Sequence, residues 1–359
     1  MKRLLMMTVA SVAVTATCAF AGGVERSSLS VSLMFEKGNY AEVSAGLVSP
    51  SVSGTFLGVN SGNMTEQYLS FSFGIKKDMG NGFHLGLIVD QPVGADVAYP
   101  TGTGYAIAGS TGTISSTGVT GILRYQFPSN FSVYGGIRAI STSGKVQLLP
   151  SNYTMNTSTE TDYGYLVGIS YEKPEIALRV ALTYNSEVDH DFAVTENGVV
   201  SLPFTTTIPK SVNLEFQSGI AQNTLLFGSV RWVDWTSFDI TPAGYAAANG
   251  GASLVDYSSD TTTYNLGIGR RFNERWSAAV SFGYEEASPG FSGNLGPTNG
   301  NKSIGIGATY TKDNVKITGG IRYVDIGDAQ TILAAPPVPT TDFSGNSAIA
   351  VGIKVGFNF

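Results

Sequence analysis

From residue 39 to the C-terminus the chain alternates apolar and polar side chains with a period of two, in segments of about ten residues. Fourteen such segments occur, at 39–48, 67–77, 82–91, 117–127, 131–141, 162–171, 175–185, 209–217, 224–235, 262–272, 275–285, 302–311, 314–324 and 348–359. Leu69, Phe71, Phe73 and Ile75 alternate with Tyr68, Ser70, Ser72 and Gly74, and Trp276, Ala278, Val280, Phe282 and Tyr284 alternate with Ser277, Ala279, Ser281, Gly283 and Glu285. A period of two predicts strands with one apolar face, and in a membrane barrel that face meets lipid while the other lines the lumen. The segments at 39–48 and 224–235 are the least regular.

The connections carry a separate signal. Short turns at 78–81, 128–130, 172–174, 218–223, 273–274 and 312–313 alternate without exception with long segments at 49–66, 92–116, 142–161, 186–208, 236–261, 286–301 and 325–347, rich in Ser, Thr, Gly, Asn and Pro. Short turns at one end of a barrel and long loops at the other produce this alternation, and an even strand number puts both chain ends on the short-turn side. A strand edge left unpaired in hydrocarbon strands its backbone polar groups, so the sheet must close. The prediction is an all-β, transmembrane antiparallel β-barrel of 14 strands. Phe127, Phe131, Tyr171, Phe272, Trp276 and Phe357 fall near strand ends on the short-turn side, where an aromatic girdle belongs. The last segment, Val351, Ile353, Val355, Phe357 and Phe359, ends on a terminal aromatic and resembles the signature by which outer-membrane barrels address their assembly machinery.

Ahead of the barrel, Lys2 and Arg3, the apolar run 4–16 and Ala19-Phe20-Ala21 read as a secretory signal peptide over 1–21, followed by a short N-terminal segment at 22–38 and the barrel at 39–359. Removal of the signal takes away Cys18, the single cysteine, and with it any disulfide. Composition supports the same class. Only 13% of the residues are charged, with 44 Gly, 17 Tyr and 19 Phe among 359 residues, against roughly 25% charged in an average soluble domain. Beyond the leader no apolar run reaches the roughly 18 residues a membrane helix needs. Without Lys2 and Arg3, 19 basic residues face 27 acidic ones, a net charge of −8 that disfavours nucleic acid as a partner.

Around 33–44 (Leu-Met-Phe-Glu-Lys-Gly-Asn-Tyr-Ala-Glu-Val-Ser) the sequence resembles the approach to the first strand of the FadL/TodX-type outer-membrane transport proteins. Pro209-Lys210-Ser211-Val212 through Phe216-Gln217-Ser218-Gly219, Arg231-Trp232-Val233-Asp234-Trp235 and Arg270-Arg271-Phe272-Asn273-Glu274-Arg275-Trp276-Ser277 extend the resemblance, which spans essentially the whole chain after the leader. The resemblance implies a monomeric 14-stranded barrel in the outer membrane of a Gram-negative bacterium, plugged by an N-terminal hatch. It implies passive uptake of long-chain fatty acids or other hydrophobic molecules through an extracellular apolar groove, the barrel interior and a lateral opening in the wall. The chain departs from the family's pattern in its N-terminal segment, 22–38, which is short and lacks the Asn-Pro-Ala motif.

Candidate ligand contacts follow from chemistry. An apolar ligand needs apolar loops, and the third and fourth long loops carry Val146, Leu148, Leu149, Pro150, Tyr153 and Met155, then Phe192, Val194, Val199, Val200, Leu202 and Phe204. These either form a groove or pack over the barrel mouth. A carboxylate would seek a cation, and strand parity turns Arg124, Arg138, Arg179, Arg231, Arg271, Lys316 and Arg322 into the lumen, where they partner a ligand or the lumenal acids Glu42, Asp90, Glu215 and Glu285. His84 lacks a Ser two residues on (Gly86 stands there), and Asp189-His190-Asp191 lacks the second acidic pair of an outer-membrane protease, so neither marks an enzyme. No cofactor, metal or phosphate-loop pattern occurs. The rival functions are a general diffusion porin for small hydrophilic solutes, an outer-membrane hydrolase, and a structural or adhesive barrel.

Overall fold

A computed structural model describes residues 23–149, 151–333 and 340–359. The predicted signal peptide, Cys18 and Pro150 lie outside the described residues. Fourteen long antiparallel strands form the wall: β1 Tyr40–Ser51, β2 Tyr68–Gly80, β3 Phe83–Asp90, β4 Thr111–Gln126, β5 Phe131–Leu148, β6 Glu160–Lys173, β7 Leu178–Asn185, β8 Ser211–Ala221, β9 Thr224–Val233, β10 Thr261–Arg271, β11 Trp276–Glu285, β12 Asn301–Lys312, β13 Val315–Ile326 and β14 Asn346–Asn358. Each pairs with its sequence neighbours, and β14 returns to β1 in register from Tyr40↔Asn358 to Ser51↔Ser347, so the sheet closes. The strands coincide with the fourteen segments of the period-two pattern. Leu69, Phe71 and Phe73, Leu85 and Leu87, Tyr163 to Ile169 at alternate positions, and Leu266 and Ile268 lie exposed on the outer surface, while Thr120, Arg124, Ser132, Arg138 and Thr183 are buried inside.

Several strands outrun the pattern: β8 runs on to Ala221, through most of the turn predicted at 218–223, and β4 and β5 depart further. β4 and β5 continue upward to Thr111↔Gln147, far beyond the predicted 117–127 and 131–141. Their upper halves are rich in Ser, Thr and Gly on both faces, because above the membrane no lipid boundary imposes a contrast between sides. There they carry the short strands Gly94–Ala98 and Tyr153–Thr157 on their outer edges. β7 begins three residues later than the alternation predicts, since Pro174–Ile176 forms a 3₁₀ turn closed by Ala177 at φ 51. At the short-turn end, Asn81 (φ 54) and Gly82 (φ 82) make a two-residue hairpin turn that requires positive φ at both positions. The aromatic girdle is present there: Phe131 and Tyr171 rings sit 4.8 Å apart, and Trp276 packs on Tyr310 at 5.0 Å.

Candidate functional site: plug, lumen and mouth

Residues 23–38 run through the barrel from the long-loop end to the short-turn end. At the top, Gly23 lies against Trp235 and Val24 joins the apolar residues of the mouth. Glu25 then forms a bidentate ion pair with Arg231 of β9, which also donates to Ser211 Oγ at 3.0 Å and to Asn213. Ser27 donates to Asp90 at 2.5 Å, Ser30 to Glu215 at 2.6 Å, and Asn213 donates to the Ser28 carbonyl at 2.8 Å. Lower down, a 3₁₀ turn at Ser32–Phe35 packs Val31 and Met34 against Ile122, Tyr134 and Leu166 of the wall. Lys316 pairs with Glu36 at 2.7 Å, and Lys76 donates to the carbonyls of Glu36 and Gly38. Small lumenal residues make room for the plug, since a Cβ on Gly86 would sit 2.2 Å from the Met34 sulfur and one on Gly74 2.9 Å from Leu33.

Beside the plug lies a cavity of about 300 Å³ lined both by polar side chains, among them Ser44, Ser70, Ser72, Asp90, Gln91, Arg179, Arg231, Asn265 and Arg322, and by apolar ones such as Phe71, Phe73, Phe216 and Phe227. It reaches the wall where that wall is incomplete. β3 pairs with β2 only from Phe73↔Val89 downward, whereas β2 pairs with β1 up to Tyr68↔Val48. Among the described residues, therefore, no strand pairs with 68–72 on their β3 side. Pro92, which has no N–H to give a ladder, ends β3, and the segment turns in towards the plug. Arg26 and Ser27 donate their N–H groups to the Pro92 carbonyl, and Gly94 donates to Val24. The Gln91 side chain accepts the Phe71 N–H at 3.1 Å, and Arg26 stacks over the Tyr68 ring at 3.5 Å while bonding Asp96 at 2.6 Å. Above this gap the bridge Thr65↔Val97 joins the two sides again.

At the mouth, the long loops fold over one another. Tyr153, Met155, Val194, Val233, Trp235, Phe238, Ile240 and Leu254 form one buried cluster, with Leu148 and Phe204 packed against it. Beneath them is a small apolar cavity of about 60 Å³, lined by Val24, Val93, Ile114, Met155, Phe192 and Phe204. Its few polar groups include His190 and Thr206, which face each other in the hairpin formed by Val188–Phe192 and Phe204–Ile208. Glu196 ties the third, fourth and fifth loops together: it accepts from the Tyr153 hydroxyl at 2.7 Å and from the Gly244 and Tyr245 amides at 2.8 and 2.9 Å. Burial pushes its carboxyl up, but these bonds and one from Ser201 outweigh that and hold it below the ordinary value.

The candidate residues divide. Of the loop set, Met155, Phe192 and Phe204 line the mouth cavity, while Tyr153, Val194 and Leu148 pack in or on the cluster that roofs it. Leu149 and Leu202 are outside both; Leu202 is 70% exposed near the tip of a hairpin turning at Asn197-Gly198, beside Val199 and Val200. Periodicity could not place them, because a hairpin tip leaves the packed layer whatever its hydropathy. Of the cations, Arg179, Arg231 and Arg322 line the lumenal cavity. Arg124 is committed to Glu172, Ser132 and the Met34 carbonyl, and Arg138 is buried with Asp90 and Glu25 as balancing charges. Arg271 sits at the short-turn rim, bonded to Asn223. The acids Asp90 and Glu215 bond serines of the plug, Glu42 faces Lys354 at 3.5 Å, and Glu285 accepts from Thr263. His84 lies 3.8 Å from Asp78, and the acids flanking His190 bond Thr205 and Thr207 on the opposite face of their hairpin. Arg26, Gln91 and Pro92 escaped the sequence reading; Pro92 at the end of an alternating segment was the available sign.

The architecture is that of a plugged, 14-stranded outer-membrane-type barrel with a break in the wall between β2 and β3. Among solved structures it resembles a Pseudomonas aeruginosa FadL homologue (14% identity, 91% of this chain and 92% of that one, TM-score 0.72). It also resembles the Pseudomonas putida toluene transporter TodX (12% identity, 90% of each chain, TM-score 0.64) and the Ralstonia pickettii toluene transporter TbuX (13% identity, 90% of each chain, TM-score 0.59). The fold is thus the FadL/TodX fold at very low sequence identity. No protein-family model matches the chain, and no curated protein matches its sequence.

Proposed function

We propose that the protein is an outer-membrane channel, not an enzyme, for passive uptake of hydrophobic small molecules, long-chain fatty acids or hydrocarbons, into a Gram-negative cell. The observation that carries this is the break in the wall at residues 68–72. A strand edge without a neighbouring strand costs several kcal/mol for each backbone group that hydrocarbon leaves unbonded. Here a side chain, Gln91, stands in for the missing strand at the Phe71 N–H, and a pore for hydrophilic solutes, which leave through the open end of the barrel, gains nothing from such a break. An apolar solute does gain, because the break lets it pass sideways into the bilayer without crossing the periplasm. The apolar mouth supplies the other end of the route, where Val24 of the plug and Val93 of the inward-turning segment line the same cavity. A ligand seated there touches both the plug and the strand segment it is bonded to. Arg179 and Arg322 stand along the lumen as carboxylate partners for an acidic ligand, whereas Arg231 is already held by Glu25. The N-terminal segment acts as the plug of this route, the terminal Phe359 serves the assembly machinery, and the chain works as a monomer in outer-membrane lipid.

The test is displacement of a fluorescent fatty acid from the purified, detergent-folded barrel by oleate, toluene and glucose. Saturable binding displaced by oleate or toluene and untouched by glucose is expected. Absence of probe binding, together with a large steady conductance in planar bilayers, would replace this reading with a general diffusion porin.

A further inference from the structure

The mouth cavity has one polar edge whose hydrogen-bonding capacity is not used up. His190 is fully buried, with Nδ1 2.7 Å from Asp162 Oδ2 and Nε2 3.2 Å from Thr142 Oγ1. With Asp162 accepting from Nδ1, the Thr142 hydroxyl occupies Nε2, so both ring nitrogens are taken. Thr206, opposite His190 in the hairpin, is likewise buried and lines the same cavity, but its hydroxyl has no hydrogen-bond partner among the described residues. A buried hydroxyl without a partner is costly and uncommon, and one carried by a side chain in the wall of an otherwise apolar cavity is a place where a ligand's polar group, met by a turn of the Thr206 side chain about χ1, would relieve that cost.

We propose that this cavity seats the hydroxyl-bearing end of a neutral, otherwise apolar molecule, a phenol or an alcohol, with Thr206 as its hydrogen-bonding partner. The inference rests on the hydrophobic-channel reading and narrows its ligand class. At about 60 Å³ the cavity is smaller than the roughly 150 Å³ that accepts a whole benzene, so it holds one end of the ligand only. The free group is a hydroxyl that both donates and accepts, which matches another hydroxyl. A carboxylate would need a buried cation to offset its desolvation. Here His190 is already bonded to Asp162 and Thr142, and the lysine of the lining, Lys145, is solvent-exposed.

Toluene, p-cresol and p-toluate share a ring and a methyl group and differ in one substituent. Their displacement of N-phenyl-1-naphthylamine from the full-length folded barrel, wild type against Thr206→Val and Thr206→Ser, tests the assignment. Expected in the wild type is p-cresol binding about three- to tenfold more tightly than toluene, the worth of one hydrogen bond, with p-toluate weaker than p-cresol. Thr206→Val should abolish the cresol preference while leaving toluene unchanged, and Thr206→Ser should keep it. Equal binding of toluene and p-cresol in the wild type, or a preference that survives Thr206→Val, overturns the assignment and leaves the channel reading standing. Tightest binding by p-toluate also overturns it, in favour of a charged site. Failure of the probe itself to bind removes the channel reading and this inference with it.

Discussion

If the N-terminal segment closes the barrel, the ion pair between Glu25 and Arg231 is the place to loosen it. Arg231 is buried and presents both Nε and Nη2 to the Glu25 carboxylate, a geometry roughly twice as strong as a neutral hydrogen bond. Glu25→Ala removes the carboxylate and leaves the guanidinium with Ser211 and Asn213 alone. Breaking a buried pair from one side costs about 3–5 kcal/mol. The Glu25 side chain retains 16% of its exposure and borders a cavity, so a value discounted below that range, about 2–3 kcal/mol, applies. At 1.4 kcal/mol per tenfold, that multiplies the ratio of displaced to seated plug by roughly 30 to 150. The remaining upper tethers are the backbone bonds to Pro92 and Gly94, Arg26 to Asp96 and Ser27 to Asp90, which keep Glu25→Ala from emptying the lumen outright. Single-channel recording in planar bilayers should show brief openings that the wild type lacks, and tryptic cleavage after Arg26 should accelerate. The double variant Glu25→Ala/Arg231→Ala should be milder than the sum of the two single changes, because neither charge is then left alone. If Glu25→Ala leaves both the conductance and the cleavage rate at wild-type values, the ion pair does not hold the plug and the energetic argument fails.

Other consequences can be checked separately. Gly168→Ala should lower barrel stability by about 1–3 kcal/mol in urea unfolding: its Cβ would fall 2.3 Å from the Tyr134 ring, which hydrogen bonds to Thr183 and Leu182 prevent from swinging aside. Leu123→Arg, on the lipid face, should cost about 2–4 kcal/mol near the bilayer midplane, measured by refolding into vesicles. Glu196 is held below its ordinary value of 4.5, so its contribution to loop packing is full above that pH and is lost as the pH falls below it, through the lowered folded value. Trp235, in the same loop cluster as Tyr153, should therefore report loosening of the mouth in its fluorescence as the pH falls below 4.5, with the barrel intact; in Glu196→Gln the signal should not change with pH in that window.

Period-two alternation determined the strands, their number and their facing by itself, because in a lipid-spanning sheet each side chain meets either hydrocarbon or the lumen, and the contrast is written residue by residue. Leu69, Phe71 and Phe73 against Ser70 and Ser72 show it directly. The closure of the barrel followed from the same physics, and alternating loop lengths oriented it. Where that boundary ends, so does the legibility: the upper halves of β4 and β5, with Ser, Thr and Gly on both faces, could not be read as strand. The lumenal arginines were placed by parity, yet parity says nothing about partners. Arg124 is spent on Glu172, Arg271 on a turn, and Arg231 on Glu25, a residue about 200 positions away. The apolar loop residues divided on packing alone, Met155, Phe192 and Phe204 lining a cavity and Leu149 and Leu202 left outside it. Only the tertiary structure brought Thr206 beside His190 in a closed mouth, and only it showed that Pro92 turns a wall strand inward to meet the plug, because both depend on loops and strand ends, where long-range contacts rather than local periodicity set the position of every side chain.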